Sequence, residues 1–281
     1  MEVTYDDIKK ITITLKEYTQ YDISGYSEKS LKRRVERFIA EYKVNPIYII
    51  HKIKNDKDFV RKFINEITVN TTEFFRDPEF WYPLRYEIYP NLDKEKNKIN
   101  IWHAGCSNGQ EVYSNLILLN ELNLLYKSLV FATDINDEMI KKAQNGAYRF
   151  RLNYEYLNNF DDVINKHPLN YEIDRGIPYH KYFEINHSKD IIKVKDFLRI
   201  IPMFRVHDLV NGEQEFLTKF DVVFCRNVLI YFNFELQKKV LRMIRHNMNK
   251  GGYLLLGVHE SILDPLEVGF EKNSKYSYVA I

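Results

Sequence analysis

Cysteine is nearly absent from this 281-residue chain: Cys106 and Cys225 are its two thiols. That is too few for a disulfide framework, and it fits the reducing environment of a cytoplasm. No apolar run approaches the roughly 20 residues that cross a bilayer. The opening Met1-Glu2-Val3-Thr4-Tyr5-Asp6-Asp7 lacks the basic and apolar regions of a signal peptide. Neither membrane insertion nor export by that route is expected. An excess of charge is missing too, because 41 basic residues face 39 acidic ones. A net +2 gives no general case for nucleic acid or a membrane surface, so electrostatic recognition has to be local. The eight histidines form no ligand-like cluster, and no metal is expected. There is no internal repeat and no low-complexity tract. Both phosphate-binding glycine patterns, G-x-x-x-x-G-K-S/T and G-x-G-x-x-G, are missing, which removes the usual seats of a nucleoside triphosphate and of a dinucleotide.

What the chain does contain is a strand, a small-residue turn and a helix start in Ile99-Asn100-Ile101-Trp102-His103-Ala104-Gly105-Cys106-Ser107-Asn108-Gly109-Gln110-Glu111. Gly105, Cys106, Ser107 and Gly109 leave clearance for a ligand to approach the backbone. A second strand follows in Val130-Phe131-Ala132-Thr133-Asp134-Ile135 and ends in an acid. An acid at that tip is placed to accept hydrogen bonds from ribose hydroxyls. Glu111 at the helix start gains from the helix dipole whatever its function, and it also suits a cationic ligand. An adenosyl ligand with positive charge and no phosphate fits these features, and S-adenosylmethionine has that chemistry.

Helical periodicity runs from Tyr5 to about Val69, with turns at Asp22-Ile23-Ser24-Gly25 and Asn45-Pro46. Within it Leu31, Val35, Phe38 and Ile39 form one apolar stripe, and Lys29, Lys32, Arg33, Arg34 and Arg37 crowd the remaining surface. Such a basic helix is either a solvated face or a dock for an acidic partner. From Asn100 onward strands alternate with helices, as in an open, mostly parallel α/β sheet. Strands are predicted at 99–105, 129–135, 204–208, 220–225 and 252–257, and helices at about 111–125, 136–145 and 234–248. The tail, 268–281, reads as a hairpin about an Asn-Ser turn. Periodicity fades between about 150 and 203, where Tyr182-Phe183-Glu184-Ile185 and Ile191-Ile192-Lys193-Val194 suggest a small β insertion at about 180–200. The expected organisation is an all-α N-terminal domain, 1–68, and a Rossmann-like S-adenosylmethionine-dependent methyltransferase domain, 69–281, whose last strand runs antiparallel.

Three more segments stand out: Asn70-Thr71-Thr72-Glu73-Phe74-Phe75-Arg76-Asp77, Asp221-Val222-Val223-Phe224-Cys225-Arg226-Asn227-Val228-Leu229-Ile230-Tyr231-Phe232, and Gly251-Gly252-Tyr253-Leu254-Leu255-Leu256-Gly257. Together with the glycine loop and Ala132-Thr133-Asp134-Ile135, they resemble the CheR family of chemoreceptor glutamate methyltransferases over nearly the whole chain. The resemblance implies methyl transfer from S-adenosylmethionine to glutamate carboxylates of chemoreceptors, leaving S-adenosylhomocysteine. It implies that Asn70, Thr72 and Arg76 reach the cofactor, that Glu111 and Asp134 hold its methionyl and ribosyl portions, and that Asp208-Leu209 lies beside the adenine. Gly105 belongs to the same cofactor loop. Arg226, Asn227 and Tyr231 would line the wall near the methyl group, with Arg76 and Tyr231 as the catalytic pair.

The chain departs from the family pattern in three places. Gln110 stands where the family loop commonly has an acid, Asp208 where it usually has Asn, and the turn Glu184-Ile185-Asn186-His187-Ser188-Lys189-Asp190 has no glycine. The last makes capture of a receptor's C-terminal peptide doubtful, so the basic helix at 29–37 is the expected contact with the receptor's cytoplasmic helical bundle. A monomer is expected. A family enzyme acting on another signalling protein, or a cofactor-binding scaffold, remains the alternative. A nucleic-acid methyltransferase is disfavoured, because there is no Asn/Asp-Pro-Pro-Tyr/Phe run and the cysteines follow Gly105 and Phe224 rather than proline.

Overall fold

In the computed structural model, which describes residues 3–68, 71–211 and 216–281, the chain opens with four helices: α1 (Tyr5–Tyr18), α2 (Glu28–Tyr42), α3 (Pro46–Asn55) and α4 (Lys57–Ile67). Their starts follow from local chemistry. Thr4 accepts from the Asp7 N–H while the Asp7 carboxylate accepts from the Thr4 N–H, a reciprocal cap. Asn45 and Asp56 cap α3 and α4 with side-chain oxygens. Ile11 and Leu15 of α1, Val35 and Phe38 of α2 and Phe63 of α4 share one apolar core.

Two helices, α5 (Pro78–Pro83) and α6 (Tyr89–Glu95), lead into β1 (Ile99–Ala104), α7 (Gln110–Glu121), β2 (Ser128–Asp134) and α8 (Asp137–Asn145). An insertion follows: β3 (Ala147–Arg149), α9 (Phe150–Asn153), α10 (Tyr156–Phe160), β4 (Lys166–His167), β5 (Asn170–Asp174), β6 (Phe183–Asn186), β7 (Ile191–Val194) and α11 (Asp196–Arg199). The main sheet resumes with β8 (Met203–Val206), β9 (Phe220–Cys225), α12 (Phe234–His246) and β10 (Met248–Leu256), and closes with β11 (Phe270–Lys272) and β12 (Ser277–Ala280).

The seven main strands lie in the order β11-β12-β10-β9-β1-β2-β8. The five from β10 to β8 are parallel, and β12 pairs antiparallel to β10. This is the Rossmann-like sheet with an antiparallel last strand read from the sequence. Every residue of β9 is buried, as a central strand covered on both faces must be. Val223 faces Val240 and Ile244 of α12 in one cluster, while Val222 and Phe224 join Leu116 of α7 in the other.

Three expectations need correction. The insertion is larger than 180–200, because β3 joins β7 and β6 in a three-stranded antiparallel sheet and a separate hairpin, β4-β5, precedes it. The predicted strand at 204–208 stops at Val206, so His207 and Asp208 lie in the loop beyond it. The Gly251-Gly252 turn sits inside β10, where Gly251 (φ +80°) falls within an irregularity of the pairing with β9.

The Phe63 ring is fully buried and meets Phe38 edge-on at 4.9 Å. Phe63→Ala is expected to lower the unfolding free energy by about 3–5 kcal/mol, read from the urea midpoint.

Candidate functional site

The carboxyl ends of β1, β2, β8 and β9 meet at one cavity of about 340 Å³, the usual ligand position in an open α/β sheet. The loop after β1 is turned by left-handed residues, Gly105 (φ +81°), Ser107 (φ +49°) and Gly109 (φ +88°). Gly105 and Cys106 donate their N–H groups to the Thr133 carbonyl at 2.8 and 2.9 Å, drawing the loop across the end of β2. A Cβ on Gly105 would sit 2.5 Å from Val228, so glycine is needed there for space as well as for conformation.

Asp134 holds this corner together. Its carboxylate accepts from the backbone N–H of Ser107 at 2.8 Å and of Asn136 at 2.9 Å, tying the loop to the start of α8. Burial pushes its pKa above the ordinary value, and the backbone hydrogen bonds work in the opposite direction. Each oxygen keeps accepting capacity for a ligand hydroxyl.

Glu111 stands at the end of a buried chain. The Tyr89 hydroxyl donates to Asn115 Oδ1 at 2.5 Å, Asn115 Nδ2 meets His103 Nε2 at 3.1 Å, and His103 Nδ1 meets Glu111 Oε1 at 2.9 Å. Assigned from these partners, the ring hydrogen of His103 lies on Nδ1 and points at the carboxylate. Arg226 adds a second contact, Nη1 to Glu111 Oε2 at 3.2 Å. Burial alone would raise the Glu111 pKa, but the His103 hydrogen bond and the Arg226 charge outweigh it and hold the carboxyl below its ordinary value. Gln110, by contrast, turns away from the cavity to Asn153 Oδ1 at 2.5 Å. An acid replaced at that position therefore changes the packing of α7 on the insertion rather than the cavity wall.

The structure brings the sequence-selected residues to this one cavity. Gly105 and Asp134 line it from the tips of β1 and β2, Glu111 from the first turn of α7, Asp208 and Leu209 from the loop after β8, and Arg226, Asn227 and Tyr231 from the segment after β9. Thr72 and Arg76 line it from the segment before α5; Asn70 lies outside the described residues. Asp77 pairs with Arg226 at 2.9 Å, and Arg76 makes no ion pair among the described residues. Burial raises the pKa of Asp208, opposed by its hydrogen bonds from Val210 and Asn211.

Sequence reasoning missed Tyr26, which packs edge-on against Phe232 at 5.1 Å at the cavity wall, and it missed His103. The one signal for His103 was a polar residue inside an apolar strand. Arg34 was placed wrongly. It does not stand on an outward basic face, since its guanidinium lies 4.4 Å over the Tyr231 ring and donates to the Ile67 carbonyl at 2.7 Å. Lys32 lies over Tyr5 and meets Glu36 at 3.6 Å, which leaves Lys29, Arg33 and Arg37 as the exposed cations of α2.

Residues 70–160 and 172–277 match the family model described as CheR methyltransferase, SAM binding domain. A protein named as a methyltransferase, Cher3, from Pseudomonas putida is 31% identical over 86% of this chain and 84% of its own. The chemotaxis protein methyltransferase of Listeria innocua is 28% identical over 92% of this chain and 91% of its own. Among solved structures, magnesium protoporphyrin IX methyltransferase from Synechocystis PCC 6803 with bound SAM aligns at a TM-score of 0.36 and 15% identity, covering 83% of this chain and 93% of that one.

Glu111 supplies a pH test. A carboxyl with a depressed folded-state pKa contributes stability that is fully present above its unfolded value of about 4.3 and is lost as pH falls through the folded value. The stability gap between the wild type and Glu111→Gln should stay constant above about pH 5 and narrow below about pH 4. Denaturant melts at stepped pH would measure it, and a gap that never narrows contradicts the assignment.

Proposed function

Because the chain belongs to the CheR methyltransferase family, we propose that it transfers the methyl group of S-adenosylmethionine to glutamate side chains of chemoreceptors, acting as a monomer in the cytoplasm. Among the described residues no helix is long and apolar enough to cross a membrane. One juxtaposition carries the reading: two carboxylates, the half-buried Glu111 and the buried Asp134, flank a tight small-residue loop at strand tips, and Tyr231 lies under Arg34 in the same cavity.

The residues present fit S-adenosylmethionine. Glu111 would hold its ammonium and Asp134 its ribose hydroxyls, while Tyr26, Leu209 and Asp208, which line the same cavity, would border the adenine. Arg76 lines the same cavity without an ion pair among the described residues, which leaves a cation for the methionyl carboxylate. When bound, the cofactor supplies an electrophilic methyl on a sulfonium. A substrate glutamate is already ionised at neutral pH, so no general base is needed. The chain's work is alignment and the exclusion of water. Burial raises the Tyr231 pKa, with Arg34 and Arg76 pulling it back; its hydroxyl stays protonated and can donate to the incoming carboxylate. Arg76 supplies positive charge at the same wall.

Labelled S-adenosylmethionine and receptor-containing membranes should yield protein-bound methyl that is released by mild base, as an ester requires. Label that survives base contradicts glutamate esterification. Arg76→Ala and Tyr231→Phe should each lower single-turnover transfer about 10-fold or more, the scale of a lost aligning contact, with an unchanged circular dichroism spectrum.

The exposed cations Lys29, Arg33 and Arg37 are proposed to meet the acidic methylation region of the receptor's helical bundle. Reversing their charge together should raise the KM for receptor and leave the affinity for S-adenosylhomocysteine unchanged. The effect should shrink with added salt, since exposed charges are screened over about 8 Å at physiological ionic strength. Unchanged kinetics at low salt would leave α2 as a solvated face.

A further inference from the structure

Glu260 follows β10 and does not line the cavity, yet its carboxylate is filled with backbone donors, two of them from the cavity-lining residues Asn227 and Val228. Oε2 accepts from Asn227 N at 2.6 Å and Gly257 N at 2.8 Å, and Oε1 accepts from Val228 N at 3.0 Å and Ile230 N at 3.2 Å. Four N–H groups take up the four accepting sites of an ionised carboxylate. Among the described residues no lysine or arginine pairs with it, so its charge is met by main chain alone: three N–H groups of the 227–230 turn and that of Gly257. That turn is not a relaxed one, because Asn227 has φ +59°, a conformation that persists when its surroundings over-determine it. The far side of the same segment is also pinned: the Tyr231 carbonyl accepts from Ser27 N at 2.8 Å, and Asn233 N donates to the Gly25 carbonyl at 2.8 Å.

We infer that Glu260 is a positioning residue for methyl transfer, whose carboxylate gathers the 227–230 backbone and so sets Asn227 and Tyr231 against the cavity. The inference rests on the reading of that cavity as the methyl-transfer site. Glutamine at 260 keeps the shape but replaces one acceptor oxygen with an N–H donor facing other donors, which opens the turn.

Three readouts on Glu260→Gln test this. Amide hydrogen exchange should speed up at Asn227, Val228 and Ile230 ahead of the surrounding strands. Affinity for S-adenosylhomocysteine, by calorimetry, should stay within about 3-fold, while single-turnover transfer per folded enzyme falls about 30-fold, since a displacement of about 1 Å can cost 100-fold. In a Tyr231→Phe background the same change should cost clearly less than its 30-fold effect in the wild type, because part of that effect runs through Tyr231. Unaltered exchange, an unaltered single-turnover rate, or losses that multiply fully in the double variant would overturn the inference. Should the glutamine variant fail to fold, Gly257→Ala keeps the carboxylate but places a methyl 2.8 Å from Oε2, and it should show the same exchange pattern with a milder rate loss. If the wild type itself transfers no methyl to receptor, the methyl-transfer reading fails, and the exchange data still decide whether Glu260 holds the turn.

Discussion

A single buried cation ties the site together. The Arg226 side chain is 1% exposed, and its guanidinium meets Glu111, Asp77 and the Arg76 carbonyl while lying 3.7 Å from the Phe80 ring centre. Such a charge costs several kcal/mol to desolvate, and only well-placed partners offset it. Those partners come from 115 and about 150 residues away in sequence. The segment before α5, the start of α7 and the end of β9 must therefore converge before any of them is stable. The cavity inherits its shape from this convergence, since Glu111 is aimed by Arg226 on one side and His103 on the other.

Both signs of charge line the cavity. Acids come from the start of α7, the tip of β2 and the loop after β8, and arginines come from α2, the segment before α5 and the segment after β9. The two sets meet at the Arg226–Glu111 pair, and Tyr231 lies under Arg34. A cationic donor and an anionic acceptor entering such a space are oriented before any bond changes, and in a dry cavity that orientation carries more weight than it would in water.

The parts legible in the sequence were those governed by local rules. Apolar, β-branched runs marked β1 and β9, glycines marked the loop at Gly105, and Asn45-Pro46 marked the turn before α3. The short elements between Phe150 and Asp174 were not legible, because helices of four or five residues and a two-residue strand carry too little periodicity to register. Arg34 failed for a different reason. It flanks the apolar stripe of α2, and helical spacing cannot tell whether such a flank meets water or another part of the chain. His103 and Glu260 also depend on long-range assembly: a strand histidine or a lone acid acquires meaning only from the partners that folding delivers.

The junction between the helical region and the sheet includes main-chain hydrogen bonds beside the side-chain contacts of Arg34 and Tyr26. Ser27 and Tyr231, and Gly25 and Asn233, are joined through peptide groups, and Tyr26 bridges to Phe232 beside them. A peptide group is the same in every residue except proline, so these two hydrogen bonds do not depend on side-chain identity, although Gly25 must stay small because a Cβ there would lie 2.7 Å from Leu236. The outer surface of the helices can therefore change in charge and shape while the 231–233 segment keeps its seat, because that seat is held in part by peptide groups.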